Sequence, residues 1–502
     1  MMRARISSNQ TMNECSPLIL ALDEGTSNAK AVLVNELGQV IARGSRPLCL
    51  SHSQPSYSEQ DPLMIWESTL AAIADCMNGL DRPLSALAIS NQRESVVAWD
   101  RASGAPLSPC ISWQCRRSLP LCNELHAQGH EAMILGKTGL ALDPMFSAGK
   151  LRWILDHLDN GHARAAAGKI CLGTIDSWLL WNLSGGRVFA TDYSNAARTQ
   201  LFNLHTGDWD PELLELFAIP VAALATIQPS AGFFAHTVAN GSLAAGIPIL
   251  SMIGDSHAAL YGQGGFAPGL VKATLGTGSS LMTPMPGPVV SGHGLSTTLA
   301  WHDGKRATYA MEGNIVHTGA AVQWASRLMP GESIDALSEQ AAQLDDNGGV
   351  YFVPALSGLG APHWQADARG LICGLTEGAG GVHIMRAALE SIAYQIRDVF
   401  DAMQADTGTP LKELWVDGGA TRNRWLMQFL ADLLQRPVIR SLSPEVSALG
   451  AAHLAGKALG IWRDDASLQG LERKRERFDP VSGLKLEGQY REWQKSLQRT
   501  VR

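Results

Sequence analysis

A single carboxylate near the middle of the chain lies between two glycine-containing turns. Asp255 follows the apolar run 246–252 and precedes an alanine-rich stretch, so we expect a buried strand, then the carboxylate, then a helix. An aspartate in that position often only caps the helix, because its side chain accepts hydrogen bonds from first-turn amides. The turns at Gly25 and Gly276, one in each half of the chain, carry the hydroxyls and open backbone that bind phosphate. Their presence indicates that Asp255 lies at the centre of phosphate chemistry.

The first turn occupies residues 23–28, and the apolar stretches on either side of it predict a β-hairpin. Backbone amides near Gly25, together with the hydroxyls of Thr26 and Ser27, are suited to wrap a phosphate, and Asp23 is suited to hold its Mg²⁺ through water. The alternative is an ordinary hairpin turn, in which glycine supplies a positive φ and the hydroxyls cap the turn. Taken alone, the motif favours the ordinary turn.

The second turn repeats this pattern in the other half of the chain. We expect strands at 271–275 and 281–283 around Gly276-Thr277-Gly278, as at 18–34 around the first turn. A lone Gly-x-Gly is a weak signal, but its repetition in a matching context is informative. The repeat predicts duplicated domains that face each other across a nucleotide, each holding phosphate with one turn.

A third glycine signal follows the apolar strand 414–416. The paired glycines Gly418 and Gly419 would let a flat group such as adenine or ribose approach the backbone, or they only form a tight turn into the next helix. Gly319 and Gln323, on a helix predicted at about 316–328, would line the same cleft. Asn423 would reach an adenine edge or lie in the first helical turn.

Candidates for binding a second substrate come from the first half of the chain. Arg93 and Glu94 follow the apolar strand 84–90, and a guanidinium beside a carboxylate offers the donors and acceptors that orient a polyol or sugar. Exposed Arg-Glu neighbours are usually solvated surface, but sites in α/β folds collect at strand ends. Trp113 is either an apolar wall of this site or an ordinary core aromatic.

The elements that position these residues need two domains, because 502 residues exceed what one hydrophobic core supports. The chain is 45% hydrophobic and lacks an apolar run of the roughly 20 residues that a membrane span requires. A net charge of -7 argues against a nucleic-acid or anionic-membrane surface. The eight cysteines are scattered without a Cys-x-x-Cys pair and are expected to be reduced. We therefore expect a cytoplasmic enzyme, with Met12 a possible true start.

Many stretches, in the right order from about residue 18 to about residue 465, resemble the FGGY family of carbohydrate kinases, in particular the glycerol kinase group. The most specific lie at 90–94 (Ser-Asn-Gln-Arg-Glu), 111–114, 137–144, 173–181, 191–195, 351–354, 361–362, 367–370 and 417–420. The resemblance implies an α/β fold of two actin-like (ribonuclease H-like) ATPase domains with ATP and Mg²⁺ in the cleft between them. The expected boundaries are 17–262 for the N-terminal domain, 263–465 for the C-terminal domain and 466–502 for a tail, in a homo-oligomer.

The resemblance also implies roles for individual residues. Asp255 matches the catalytic base, which accepts a proton from a primary hydroxyl as the γ-phosphate is transferred. Arg93, Glu94 and Trp113 match polyol-binding positions. The positions that match nucleotide-binding residues are Thr26, Ser27, Asn28, Lys30, Thr277, Gly319, Gln323, Gly419 and Asn423.

Departures from the family concern the acceptor. Glycerol kinases typically carry Tyr where this chain has Met145 and Gln where it has Ser256, and both family residues contact glycerol hydroxyls. The loop 239–246 lacks a cation, so regulation by fructose bisphosphate is not expected. The acceptor is then glycerol or a four- or five-carbon polyol or ketose. The alternatives are a ketopentose kinase and, outside the enzymes, a non-catalytic nucleotide sensor, against which the retention of Asp255, Arg93 and Glu94 counts.

Overall fold

Two mixed β-sheets, one in each half of the chain, organise the fold. The computed structural model describes residues 16–80, 82–481 and 486–501, so the possible start at Met12 lies outside the described residues. The strands of the first sheet are β1 (Ile19–Glu24), β2 (Asn28–Val34), β3 (Val40–Pro47), β4 (Ala86–Asn91), β5 (Ala231–His236) and β6 (Pro248–Gly254). Those of the second sheet are β7 (Leu270–Leu275), β8 (Ser279–Met285), β9 (Ser296–His302), β10 (Ala307–Ile315), β11 (Glu413–Asp417), β12 (Val438–Ser441) and β13 (Arg475–Phe478).

Six strands of each sheet share one topology, to which the second sheet adds β9 at its edge. The first has the order β5-β6-β4-β1-β2-β3 and the second the order β9-β10-β8-β7-β11-β12-β13. In each sheet, a third strand pairs antiparallel with the second strand of a hairpin. Two parallel strands lie on the other side of the hairpin's first strand. This confirms the predicted duplication and the expected ribonuclease H-like architecture. Both glycine turns connect the first two strands of their sheets.

Helices cover the sheets and fill the connections. The principal helices are α1 (Pro62–Met77), α2 (Asp255–Gly262), α3 (Gly319–Ser326), α4 (Gly381–Thr407), α5 (Arg424–Leu434), α6 (Val446–Leu459) and α7 (Glu487–Gln498). The others are Leu119–Ala127, Glu131–Thr138, Ser147–His157, Gly161–Ala166, Ile175–Leu183, Tyr193–Ala196, Pro211–Leu216, Ile334–Ala342 and Asp465–Gln469, with 3₁₀ turns at Val221–Ala223 and Gly419–Arg422. Short strands outside the two sheets are Glu59–Gln60, Val96–Asp100, Cys110–Ile111, Ile170–Thr174, Ala190–Asp192, Phe202–Asn203, Asp208–Trp209, Thr226–Gln228, Tyr351–Val353 and Leu371–Cys373.

The start of α1 carries two local signals of a helix N-terminus. Asp61 is its N-cap and accepts a hydrogen bond of 2.9 Å from the amide of Leu63, while Pro62 occupies the first helical position, where no amide donor is needed. Its buried side chains, Ile65 among them, join Leu20 and Leu22 of β1 in one hydrophobic cluster. This helix therefore covers one face of the first sheet.

The other face of the first sheet is covered by α6, which comes near the end of the chain. Alanines of α6 pack against Ile19 and Ala21 of β1 and against α2. The α2 and α6 backbones touch, since a Cβ at Gly450 would lie 1.8 Å from the carbonyl oxygen of Ala258. A helix in the sequence range predicted for the C-terminal domain thus completes the core that holds the helix of Asp255.

The C-terminal segment beyond residue 465 packs on the second half of the molecule. The strand β13 pairs with β12, and Tyr490 and Trp493 of α7 belong to the same hydrophobic cluster as α4. The cysteines in the described residues are free. Among the same residues, the structure contains no helix with both the length and the apolar character needed to cross a membrane.

Candidate active site

Two cavities share Thr277: a smaller one lined from both halves of the chain and a larger one lined by the second half. The smaller, of about 350 Å³, is lined by these residues singled out from the sequence: Thr26, Ser27, Arg93, Glu94, Trp113, Met145, Asp255, Ser256 and Thr277. The larger, of about 840 Å³, is lined by Thr277, Gly319, Gln323, Gly419 and Asn423. The residues predicted for the acceptor thus line the smaller space together with Thr26 and Ser27, and the nucleotide candidates of the second half line the larger one.

The parallel strands β1, β4 and β6 bring the charged residues to one edge of the first sheet. The strands are in register so that Asp23 lies beside Ser90 and Gly254 beside Asn91. Because the carboxyl ends of parallel strands meet at the same edge, Asp23, Arg93 and Asp255 converge there. The Ser90 hydroxyl donates a hydrogen bond of 3.0 Å to Asp23 Oδ1.

Asp255 is the first residue of α2 and not its cap. Gly254 occupies the N-cap position, and the Asp255 carboxylate accepts a hydrogen bond of 2.6 Å from the amide of Ser256. Arg93 Nε lies 3.3 Å from Asp255 Oδ1, and the aspartate side chain keeps 36% of its surface exposed towards the cavity. The carboxylate therefore remains accessible to a ligand.

The surroundings of Asp255 make it a stronger base than an ordinary aspartate. Burial raises the pKa of its carboxyl, and although Arg93 opposes this shift, the nearby carboxylates of Asp23 and Glu94 add to it. A carboxylate with a raised pKa is better suited to accept a proton from a hydroxyl. The accessible carboxylate and its raised pKa both suit Asp255 to act as a base.

Glu94 is held in an uncommon backbone conformation. Its φ is +62°, in the left-handed region that side chains other than glycine seldom adopt. The Ser147 hydroxyl and the Lys150 ammonium donate hydrogen bonds of 3.1 Å and 2.8 Å to the Glu94 carbonyl, and Lys150 donates a second, of 2.6 Å, to the Met145 carbonyl. A fully buried lysine thus fixes the backbone of two residues that line the smaller cavity.

Glu312, a carboxylate of the second sheet, contacts the acceptor candidate Arg93 directly and the acceptor candidate Glu94 through Arg198. The two terminal nitrogens of Arg93 donate hydrogen bonds of 3.0 Å and 2.7 Å to Glu312, on β10. Arg198 NH1 lies 2.6 Å from Glu312 Oε2, while Arg198 Nε donates a hydrogen bond of 2.6 Å to Glu94. Burial would raise the pKa of Glu312, but the two guanidinium groups hold it well below its ordinary value.

Trp113 connects the acceptor side to the first turn. Its indole Nε1 donates a hydrogen bond of 2.9 Å to the Thr26 hydroxyl, which in turn donates one of 3.3 Å to Gln92 Oε1. Asn28 is exposed and its carbonyl accepts the Gly25 amide. The Thr26 hydroxyl thus links Trp113 to the first turn.

Lys30, Asn28 and Asp23 do not line either cavity, unlike the other predicted site residues. Lys30 Nζ lies 3.6 Å from Asp23 Oδ2 and 3.6 Å from Glu445 Oε2, next to the start of α6. Asp23 and Lys30 lie at the edge where Asp255 also stands, behind the first turn. Their roles in nucleotide and metal binding stay predictions.

The second turn is held by the start of α3. The Gly319 amide donates a hydrogen bond of 2.9 Å to the Gly276 carbonyl, and the amides of Thr318 and Ala320 donate to the Thr277 carbonyl. Predicted at about 316–328, this helix spans 319–326 in the structure, because its first amides bind the turn instead of extending the helix backwards. The contact fixes the turn against the wall of the larger cavity.

The two glycines after β11 differ in what their positions require. Gly418 has φ +97° and a Cβ there would lie 2.5 Å from the Leu275 carbonyl oxygen, so the turn itself requires glycine. A Cβ at Gly419 would meet nothing within 4 Å, and this residue lines the larger cavity. Asn423 caps α5 by accepting a hydrogen bond of 2.9 Å from the Leu426 amide, and it also lines that cavity.

The donor set at the edge of the first sheet fits Mg²⁺. Mg²⁺ prefers oxygen ligands and is commonly bound by one or two carboxylates together with substrate phosphates and water. Asp23 and Asp255 provide two neighbouring carboxylates there, whose mutual repulsion contributes to the raised pKa of Asp255. Among the described residues no group of three or more His, Cys, Asp or Glu side chains forms a complete metal site. A metal at this edge would therefore need phosphate and water as further ligands.

Several residues of this site were missed in the sequence: Gln92, Lys150, Arg198 and Glu312. Arg198 and Lys150 do not follow a predicted strand. Glu312 sits in the apolar strand Ala307–Ile315, where a buried charge among alternating apolar residues is the one signal that would have pointed to it.

Comparison with known proteins identifies the family. The family model described as "FGGY family of carbohydrate kinases, N-terminal domain" matches residues 18–262, and its C-terminal counterpart matches 271–459. An apulose kinase of Pectobacterium atrosepticum is 50% identical, with 96% of this chain and 98% of that protein covered. A glycerol kinase of Stenotrophomonas maltophilia is 45% identical over the same shares of each chain.

Solved structures agree with the fold. The crystal structure of Plasmodium falciparum glycerol kinase with ADP has a TM-score of 0.88 and 32% identity, covering 97% of this chain and 99% of that one. A ligand-bound xylulose kinase from Lactobacillus acidophilus, at 22% identity, has a TM-score of 0.84 with 96% and 97% covered, and shares the fold. The two sheets, the two adjoining cavities and these matches over nearly the full length lead to one conclusion: the chain belongs to the FGGY family of carbohydrate kinases.

Proposed function

We propose that this kinase transfers the γ-phosphate of ATP, with Mg²⁺, to a primary hydroxyl of a four- or five-carbon polyol or ketose. The observation that carries the proposal is the position of Asp255, a carboxylate of raised pKa at the wall of the smaller cavity, beside Arg93. The larger cavity adjoins this space at Thr277, and its volume of about 840 Å³ is in the range of small-molecule and cofactor sites. Asp255 and the two turns proposed to bind phosphate therefore border adjoining spaces.

The chain's own residues would divide the work as follows. Arg93, Glu94 and Trp113 hold the acceptor so that one primary hydroxyl lies against Asp255, which accepts its proton late in the transfer, as the bond to phosphorus forms. Amides and hydroxyls of the two turns hold the phosphates and stabilise charge that develops on them. Mg²⁺, bound near Asp23 together with the phosphates, would neutralise their negative charge.

The acceptor is proposed to be longer than glycerol because two side chains of the cavity wall differ from those of glycerol kinases. Met145 offers no hydrogen bond and Ser256 is short, so glycerol loses two polar contacts while room remains for an additional carbon. The relative named apulose kinase, at 50% identity, supports a ketose, whereas relatives named glycerol kinase, at 45%, support the simpler acceptor. We favour a short ketose over glycerol, and a kinase dedicated to a linear ketopentose of the xylulose or ribulose type is the alternative.

A panel of acceptors tests the proposal. ADP release from ATP is measured with glycerol, erythritol, erythrulose, xylulose, ribulose and apulose, and the Asp255→Asn variant gives the background hydrolysis. We expect the highest kcat/KM for one of the four- or five-carbon compounds. A kcat/KM for glycerol above that of every longer acceptor would contradict the proposed substrate class and leave a divergent glycerol kinase.

We further propose that the kinase acts in the cytoplasm as a homo-oligomer. The free cysteines of the described residues and the use of ATP support the first statement, and the family resemblance supports the second. Sedimentation of the purified protein over a range of concentrations measures the assembly, and a single species with the mass of one chain would contradict it.

A further inference from the structure

We infer that Glu312 is a positioning residue that assembles the acceptor site across the two domains. The inference rests on the proposed function, because it assumes that Arg93 and Glu94 bind the acceptor. Glu312 lies on β10 of the second sheet, whereas both arginines that it contacts come from the first half of the chain. One carboxylate would then set the orientation of two acceptor-binding side chains that belong to the other domain.

The geometry of this cluster is a chain of alternating charges. From Asp255 it runs through Arg93, Glu312 and Arg198 to Glu94, and each successive pair lies within 3.3 Å. Glu312 and Arg198 are completely buried, while Arg93 and Glu94 are 6% and 5% exposed. The Ser280 hydroxyl donates a further hydrogen bond of 2.6 Å to Glu312 Oε1. Each arginine thus has a carboxylate on both sides.

Removing the charge of Glu312 would redirect both guanidinium groups. Arg93 would keep Asp255 as its only carboxylate within 4 Å, and Arg198 would keep Glu94 alone. Two buried cations would then face each other without the anion between them, which is costly in a low-dielectric interior. We expect Arg93 to turn towards Asp255 and Arg198 to pull Glu94 away from the cavity.

The consequence concerns the acceptor far more than ATP. The larger cavity is formed by α3, α5 and the residues around Gly419, none of which contacts Glu312 through a side-chain hydrogen bond or ion pair. A Glu312 that merely supported the fold would affect both substrates alike. A Glu312 that positions Arg93 and Glu94 would raise the KM of the acceptor and leave that of ATP nearly unchanged.

The test compares Glu312→Gln with a matched control, Glu390→Gln. Glu390 is equally buried, belongs to the same half of the chain and pairs with Arg386 at 2.8 Å, but it lines neither cavity. Steady-state kinetics with the best acceptor from the panel and thermal melting are measured for both variants. We expect Glu312→Gln to raise the acceptor KM about 30-fold or more, the usual effect of breaking a buried charge pair, with the ATP KM within about threefold. Glu390→Gln should leave both KM values within about threefold.

Three further variants make the outcome decisive. Glu312→Asp restores a carboxylate one methylene shorter and should recover part of the acceptor affinity. If Glu312→Gln melts below the assay temperature, Arg198→Lys, which keeps the charge but loses the fork that bridges two carboxylates, should show the same selective rise. An unchanged acceptor KM in the folded variant, or an equal rise for ATP, overturns the inference. Arg93→Ala separates this inference from the proposed function. An unchanged acceptor KM in Arg93→Ala would show that the proposed acceptor site is wrong. If Arg93→Ala raises the acceptor KM and the Glu312 variants leave it unchanged, only the role of Glu312 is wrong.

Discussion

Arg93 Nε lies 3.3 Å from Asp255 Oδ1 while the two terminal nitrogens of the same guanidinium bind Glu312. The arginine is therefore shared between a carboxylate of the first domain and one of the second. Burial raises the pKa of Asp255, and Arg93, whose bidentate contact is with Glu312, lowers it without cancelling that effect. The aspartate can be held in place by a cation and still act as a base.

Replacing Asp255 by Asn should abolish most turnover and spare binding. The amide keeps the shape of the side chain but cannot accept the hydroxyl proton, so we expect kcat to fall roughly 10²–10⁴-fold. Calorimetry should give Kd values for ATP and acceptor close to those of the wild type. Asp61→Asn, a matched change at the N-cap of α1 and outside both cavities, should leave kcat unchanged. Near-normal turnover in Asp255→Asn would remove this residue from the mechanism.

The pH profile should report the environment of Asp255. The base acts only when ionised, and because burial, Asp23 and Glu94 raise its pKa against the effect of Arg93, activity should be lost on acidification at a higher pH than for an ordinary aspartate. Arg93→Gln removes the opposing cation, so the acid limb of kcat/KM should move to still higher pH. A limb near pH 4 in the wild type, the range of an exposed aspartate, would argue against this assignment.

A larger side chain at position 419 should obstruct the nucleotide. A Cβ at Gly419 enters open space at the wall of the larger cavity, so Gly419→Leu should fold normally and raise the KM of ATP about tenfold or more, with a much smaller effect on the acceptor. Gly488→Leu, an equally uncrowded position on α7, serves as the control. Equal KM values for ATP in both variants would show that the nucleotide does not use this cavity.

Restoring the two side chains of glycerol kinases should shift the acceptor preference. Met145→Tyr with Ser256→Gln adds two hydrogen-bonding groups to the wall of the smaller cavity, each worth on the order of 1 kcal/mol. The ratio of kcat/KM for glycerol to that for the best longer acceptor should rise about 5- to 25-fold. Each single variant should move the ratio part of the way, and an unchanged ratio in the double variant would show that specificity resides elsewhere.

Lys150 should make the stability depend on alkaline pH. Burial lowers its pKa to about 8, below the ordinary lysine value of about 10.4, so between these values the unfolded chain binds more protons than the folded one. The unfavourable contribution is complete below pH 8 and disappears as the pH rises towards 10.4. The Tm of the wild type should therefore rise relative to that of Lys150→Met between pH 7.5 and 9.5.

A second lysine serves as the control for this measurement. Lys137 forms ion pairs with Asp210 and Glu212, which raise its pKa, so it stays protonated through the same pH window. The Tm difference between the wild type and Lys137→Met should stay constant. If the Lys150→Met difference is equally constant, the buried amine keeps its proton throughout the window and the assigned pKa is wrong.

Local patterns predicted the parts of this protein that local interactions form. The two hairpins follow from apolar stretches around hydroxyl-rich turns, and the start of α1 follows from Asp61 and Pro62, because a cap and a missing amide act within one helical turn. The acceptor candidates Arg93 and Glu94 stand out because they follow a strand, and both line the smaller cavity. Such signals need only neighbouring residues.

The remaining features depend on contacts between distant segments. Glu312 and Arg93 are separated by 219 residues, and Lys150, which would be assigned to the surface by its type, is buried because two carbonyls turn towards it. The different duties of Gly418 and Gly419 depend on the position of Leu275, on another strand. No window of sequence contains both members of these pairs.

The backbone contact between Gly450 and Ala258 has a consequence for synthesis of the chain. The face of the first sheet that α6 covers stays open until residues 446–459 have left the ribosome, nearly two hundred residues after α2. During that interval the apolar side chains of β1 and α2 are exposed, and α2 lacks the surface against which it packs. Asp255 begins α2, so the packing that holds this residue in place is complete only near the end of translation.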